Sequence, residues 1–203
     1  MNNLLPIIAV TLQIILLIYF GVTSMVSLFP FNGVRFRFTR EGRAAQIAHY
    51  GDSVANTALM AVAPVGFILR EPSLMRFGIA YYLVFIAVQV PFWWLPYYLG
   101  PSSWWLNHYT KIHRETITVL PRRGNNPVPN LEHLTLQCLI VLTTAVTLIA
   151  YRVTPSAQFP HSFWTSLAEV GAVLVGLTAV KNIGNAGKGQ PNSNQAPVSL
   201  GEE

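Results

Sequence analysis

The chain of 203 residues is 52% hydrophobic and only 10% charged, with a formal net charge of +5. An ordinary soluble domain carries about 25% charged residues, so this composition excludes a typical water-soluble fold. A single cysteine, Cys138, excludes an intramolecular disulfide, a cysteine-rich zinc cage and a CxxC redox pair. The basic residues lie in short stretches beside apolar runs, which favours membrane lipids as partners and argues against nucleic acid.

Long apolar runs predict an all-α, polytopic bundle of transmembrane helices within residues 1–182. About 20 apolar helical residues cross the roughly 30 Å hydrocarbon core of a bilayer. Five runs approach this length, at residues 4–28, 53–69, 77–98, 133–151 and 163–180. The alternative is four spans, with the last run as a re-entrant or peripheral helix. Residues 183–203 lack apolar periodicity and are rich in Asn, Gly, Gln, Ser and Pro, which predicts a disordered tail.

Basic residues predict the orientation of these spans. The Lys and Arg residues of the first loop, the third loop and the tail outnumber those on the opposite side by ten to three. Because basic residues accumulate in cytosolic loops, we expect an outside N-terminus and a cytosolic C-terminus in a bacterial plasma (inner) membrane.

The third loop contains a candidate amphipathic helix at residues 102–119. On a helix, Trp105, His108 and Tyr109 share one face, and Lys111 and Arg114 share the other. This pattern predicts a helix that lies in the membrane interface.

Polar residues at the cytosolic starts of the second and fourth spans form a candidate ligand site. His49, Asp52 and Asn56 follow one another at spacings of three and four, so a helix aligns them on one stripe. A similar stripe begins the fourth span, and the third loop adds a histidine and two adjacent guanidinium groups that suit a phosphate or carboxylate. The candidate set is His49, Asp52, Asn56, His108, Arg122, Arg123, Glu132, His133 and Gln137.

Two readings of this set stay open. In one, imidazole and carboxylate groups bind the head of a ligand, and acid–base roles are chemically feasible because histidine titrates near neutral pH. In the other, the acids cap helix N-termini and the arginines only set orientation. No catalytic residue is assigned, and neither a metal nor another cofactor is expected, because the five histidines match no zinc or haem spacing.

Glu169 is the acidic residue well inside an apolar run, the fifth. Intramembrane carboxylates often bind protons or cations, but they also form hydrogen bonds between helices. Glu169 is therefore a packing group, a proton site or a contact to a partner subunit. The other predicted intramembrane polar residues are Gln13, Gln89, Thr143, Thr144 and Thr147.

The stretch from Phe92 to Tyr98, followed by Asn126 to Asn130 and then His133, resembles a pattern in uncharacterised bacterial multi-span proteins. The resemblance covers about 40 residues of the chain. It implies a multi-span membrane protein and carries no activity with it.

These features predict a membrane protein that binds an amphipathic or lipid-like ligand, expected to be anionic, at its cytosolic interface. The alternative is a non-enzymatic accessory subunit that docks against another membrane protein or a second copy of the chain. A proton-coupled transporter built on Glu169 is the third hypothesis, weakened because five spans contain no inverted repeat.

Overall fold

The computed structural model describes residues 4–154, and all regular secondary structure within them is helical. The helices are α1 (Leu4–Met25), α2 (Val34–Arg40), α3 (Arg43–Leu69), α4 (Pro72–Gln89), a π-helical segment (Val90–Trp94), α5 (Leu95–Leu99), α6 (Ser103–Ile112) and α7 (Leu131–Val153). The fifth run at residues 163–180, Glu169 and the predicted tail lie outside the described residues.

Four helices are long and apolar enough to cross a membrane: α1, α3, the continuous helix Pro72–Leu99 and α7. They coincide with the first four apolar runs, although their bounds differ. The largest difference is in α3, which begins at Arg43, ten residues before the run at 53–69. Hydropathy marks only the apolar part of a helix, whereas backbone hydrogen bonding continues through the polar residues that precede it.

The long helices pack as an antiparallel bundle in which α3 contacts α1 and α4, and α7 contacts α1 and α4. The tightest connection joins α3 to α4, where Arg70 adopts a left-handed conformation and the Glu71 side chain accepts a hydrogen bond from the Ser73 amide at 3.2 Å. Apolar side chains from all four helices meet in the bundle centre, among them Leu16, Met60 and Ile140.

The π-helical segment lies in the second half of the helix Pro72–Leu99. Pro91 and Pro96 have no amide hydrogen, so the usual hydrogen-bond pattern cannot continue there. The amide of Leu95 instead bonds to the carbonyl of Val90, five residues earlier. Such π-turns are frequent at functional sites, and this one presents Trp93 and Trp94.

One end of the bundle is covered by residues 26–42 and 100–130, and we call it the polar end. Arg40 joins α2 to the end of α6, because its guanidinium donates to the carbonyl of Lys111 at 2.9 Å and pairs with Glu115 at 2.6 Å. The amide of Ile117 bonds to the carbonyl of Pro30 at 3.0 Å. These contacts hold the third loop across the bundle.

Within the segment 102–119, where the sequence predicts an amphipathic helix, the structure has the ten-residue helix α6. The hydroxyl of Ser102 caps it by accepting from the Trp105 amide at 3.2 Å, and Trp105, Tyr109 and Ile112 are buried. After Ile112 the chain turns, since the Thr116 hydroxyl donates to the His113 carbonyl at 2.6 Å. A position of α6 in the membrane interface stays a prediction.

Candidate functional site: a histidine cluster beside an apolar groove

Three histidines, two from the third loop and one from α7, meet at the polar end, and we call them the histidine cluster: His108, His113 and His133. The ring centroids of His108 and His113 are 5.7 Å apart, and those of His113 and His133 are 5.2 Å apart. His108 belongs to α6, His113 follows that helix and His133 lies in the first turn of α7. The cluster therefore forms only when the third loop folds onto the bundle.

Two tryptophans enclose these rings. The Trp93 ring lies 4.1 Å from that of His133 and 5.2 Å from that of His113. The Trp105 ring stacks on His108 at 5.3 Å and meets Trp93 edge to face at 5.4 Å. The π-helical segment supplies Trp93, so the local helix distortion places an aromatic wall against the imidazoles.

Two carboxylates and one guanidinium border the cluster. Oε1 of Glu41 is 3.7 Å from Nδ1 of His108, and Oε2 of Glu132 is 3.6 Å from Nδ1 of His133. Arg37 pairs with Glu41 at 3.2 Å. Burial lowers the pKa of Arg37, and the negative charges of Glu41, Glu132 and Asp52 oppose that effect. A buried charge is tolerated where opposite charges face it.

His113 is the most enclosed member of the cluster. Burial, reinforced by the positive charges of neighbouring histidines and Arg37, lowers its pKa well below the usual value of 6.5. His113 is therefore neutral at physiological pH. Its Nδ1 has no hydrogen-bond partner within residues 4–154, and the same is true of the buried Nε1 of Trp105. Buried polar atoms without a partner are rare in folded proteins.

Asn130 connects His133 to the third loop. Its Oδ1 accepts from the His133 amide at 3.0 Å, which caps α7, and contacts Nδ1 of the His133 ring at 2.6 Å. Its Nδ2 donates to the Thr116 hydroxyl oxygen at 3.1 Å. The buried Asn130 side chain thus caps the start of α7 and also holds the imidazole of His133 in one orientation.

An apolar groove of about 590 Å³ lies between α7 and the second half of the helix Pro72–Leu99. This volume is within the range of about 300–1,000 Å³ that small-molecule pockets occupy. Its lining is almost entirely apolar, with two amides, Gln89 and Gln137, that approach each other at 3.5 Å. The other lining residues are Ile86, Val90, Trp94, Leu134, Cys138, Ile140, Val141, Leu142 and Ala145.

The groove and the histidine cluster are adjacent, because consecutive residues face each of them. Trp93 packs on His133, whereas the next residue, Trp94, lines the groove. In α7, His133 belongs to the cluster and the next residue, Leu134, lines the groove. The same two helical segments therefore contribute residues to both compartments.

The residues predicted from sequence divide into those near this site and those apart from it. His108 and His133 belong to the cluster, Glu132 borders it and Gln137 lines the groove. Nε2 of His49 lies 2.9 Å from the carbonyl of Ser24, and this histidine is among the charges that act on His113.

Asp52 and Asn56 form a pair of their own. The Asn56 amide donates to the carboxylate of Asp52 at 3.2 Å and accepts from the Tyr81 hydroxyl. The structure thus places them against Tyr81 of α4.

The twin arginines do not meet the histidine rings within residues 4–154. Arg122 is exposed. The Arg123 guanidinium lies 4.8 Å from the Tyr98 ring centroid, and Tyr98 stacks on Trp94 at 6.1 Å. Binding of an anionic head by Arg122 and Arg123 stays a prediction.

The predicted intramembrane polar residues form a separate layer between α1 and α7. The Gln13 amide donates to the Thr147 hydroxyl at 3.0 Å, and the Thr144 hydroxyl donates to the Ile140 carbonyl at 2.7 Å. Oε1 of Gln13 and the hydroxyl of Thr143 are buried without a partner within residues 4–154. Gln89 is not in this layer but in the groove.

Sequence reasoning missed several residues of the site, namely Arg37, Glu41, Trp93, Trp105, His113, Thr116 and Asn130. Asn130 had a usable signal, since an Asn before an apolar helix is a common N-cap. His113 had none, because the loop that brings it to His133 is rich in proline and has no regular period.

Within residues 4–154, no group of three or more His, Cys, Asp or Glu residues is arranged to hold a metal ion.

The chain matches no family model, and no curated protein or solved structure shows significant similarity to it.

Proposed function

We propose that this chain is an integral membrane protein that binds an amphipathic, lipid-like ligand, with the apolar part in the groove and the polar head at the histidine cluster. The observation that carries the proposal is the adjacency of the two compartments, since neighbouring residues of each helix face one or the other. Nε1 of Trp105, which is buried without a hydrogen-bond partner in the described part of the chain, supports the proposal, because a bound head would supply an acceptor.

The distribution of charge supports a cytosolic position for this site. The basic residues of α2, α6 and the third loop, including Arg40 and Lys111, are at the same end of the bundle as the histidines. Basic residues are retained in cytosolic loops. The polar end would then meet the anionic headgroups of the inner leaflet.

Native mass spectrometry of the full chain purified in mild detergent, with lipid extraction of whatever is released on unfolding, tests this function. We expect a stoichiometric amphipathic molecule on the unmodified protein. The variant Ala145→Trp fills the groove and should lose most of it. Ala58→Trp is the matched control, because Ala58 is an exposed alanine of α3 outside the groove lining.

A bare unmodified chain would contradict the proposal, as would equal retention by the groove variant and its control. A protein that co-purifies in place of a small molecule would favour an accessory subunit.

A further inference from the structure

Hydrogen-bond donors and acceptors around Asn130 fix the orientation of its amide. The single hydrogen of the Thr116 hydroxyl is committed to the His113 carbonyl at 2.6 Å, because a carbonyl can only accept. The Thr116 oxygen can therefore only accept from Asn130, so the Asn130 atom 3.1 Å away is the nitrogen. The other terminal atom of this amide is then the oxygen.

That oxygen fixes the tautomer of His133. Oδ1 of Asn130 lies 2.6 Å from Nδ1 of the His133 ring and can only accept. Nδ1 must then carry the hydrogen. A neutral imidazole has one N–H, which leaves Nε2 as an acceptor with its lone pair.

The ring of His133 is held in place by its neighbours on both sides and at Nδ1. Trp93 packs against the ring, His113 meets it edge to face, and Asn130 holds Nδ1. No hydrogen bond to Nε2 occurs within residues 4–154, and the side chain is 21% exposed. The structure thus presents an oriented acceptor on a partly exposed side chain whose neighbour in sequence, Leu134, lines the groove.

We infer that Nε2 of His133 accepts a hydrogen bond from a hydroxyl group on the ligand, and that Asn130 is the positioning residue that keeps this acceptor available. The inference rests on the proposed function and specifies the head of the ligand. A lone pair requires a donor, which a carboxylate or phosphate dianion does not offer. An uncharged donor suits this position, because the charged groups that border the cluster, Arg37, Glu41 and Glu132, are of both signs.

The tautomer can be read directly by nitrogen-15 NMR of the full chain in detergent micelles at about pH 8, where an ordinary imidazole is neutral. His133→Gln assigns the resonance. We expect the Nδ1–H form, in which Nε2 gives the signal of an unprotonated nitrogen. Asn130→Ala should shift the population towards the Nε2–H form, an effect that a merely structural role would not produce.

Addition of dodecanol or dodecyl methyl ether to the same sample tests the ligand class. The two probes share an alkyl chain, but only the alcohol has a hydroxyl hydrogen. We expect dodecanol, and not the ether, to shift the nitrogen-15 resonance of His133 Nε2 in the direction seen when an unprotonated imidazole nitrogen accepts a hydrogen bond. The response should persist in Ala58→Trp and disappear in Ala145→Trp.

An Nε2–H tautomer in the unmodified chain, or the same response to the alcohol and the ether, would overturn the inference. Failure of the proposed function gives a different pattern, in which the groove variant responds to dodecanol as strongly as its control. Absence of any response to either probe would count against His133 as the acceptor.

Discussion

At the residue scale, the side chain of Asn130 joins a helix cap to the orientation of an imidazole. The sequence was sufficient to suggest a cap, because Asn precedes the apolar run of α7 and its amide oxygen accepts from the His133 amide. It was not sufficient to predict the bonds to the His133 ring and Thr116. Those depend on the path of a loop in which Pro121, Pro127 and Pro129 prevent a regular period.

Asn130→Ala should lower the free energy of unfolding by more than loss of a cap alone. An N-cap contributes about 0.5–2 kcal/mol, and a buried group left without its partner costs a further 1–3 kcal/mol or so. The control is Ser102→Ala, which removes the cap of the shorter α6 at an exposed residue. Denaturation in mixed micelles measures both variants, and equal losses would contradict the role assigned to Asn130.

The lowered pKa of His113 predicts how the free energy of unfolding depends on pH. Its pKa in the folded chain is below 6.5 because of burial, whereas in the unfolded chain it returns to about 6.5. Between those values the unfolded chain binds more protons, so the free energy of unfolding rises with pH and levels off above about 6.5. One proton contributes at most about 1.4 kcal/mol per pH unit.

The variant His113→Phe keeps an aromatic ring against Trp93 and removes the titration. Denaturation of this variant at several pH values below 6.5 should give a shallower slope than the unmodified chain gives. The groups whose charges act on His113 are His133, His108, Arg37 and His49, so a residual slope from the other histidines is expected. Identical slopes would show that His113 does not supply the effect.

At the element scale, apolar runs predicted which segments are long helices and close packing decided how they pair. The first four runs coincide with the four long helices, because the requirement for about 20 apolar residues is strong. The pairing of α3 with α4 depends on small residues that no hydropathy pattern marks. A Cβ on Gly78 would lie 2.5 Å from Cβ of Ala63 and 2.6 Å from its Cα.

Gly78→Ala should force α3 and α4 apart and lower the free energy of unfolding by about 1–3 kcal/mol, the usual cost of overpacking. Gly51→Ala is the matched control within α3, because a Cβ there meets nothing within 4 Å. That control should be neutral or stabilising by up to about 1 kcal/mol, since Gly is unfavourable inside a helix. Similar values for the two variants would contradict the close approach at Gly78.

The π-helical segment lies inside the apolar run at residues 77–98, and hydropathy gave no sign of it. Two prolines five residues apart were visible in the sequence, but their effect on register was not. With this change of register, the Trp93 ring packs against the histidine cluster and the Trp94 side chain lines the groove. A regular α-helix through the same residues would turn these two side chains differently relative to α7.

At the scale of the whole molecule, the sequence predicted the class of protein and the end of the bundle at which polar groups collect. It did not predict that His108, His113 and His133 meet, because contacts between distant segments depend on the packing of all the helices. Orientation, the fifth span, the disordered tail and the role of Glu169 stay predictions. The proposed function requires that one ligand occupy both the histidine cluster and the apolar groove, which lie within residues 4–154.

Photo-cross-linking with a dodecanol analogue that carries a diazirine in its chain shows where an amphipathic molecule binds. After irradiation of the full chain in nanodiscs, peptide mass spectrometry locates the adducts. We expect adducts on groove residues such as Leu134, Val141 and Ala145, and their loss in Ala145→Trp. Adducts spread equally over the exposed apolar face of α1, at residues such as Ile7 and Ile18, would contradict a specific site.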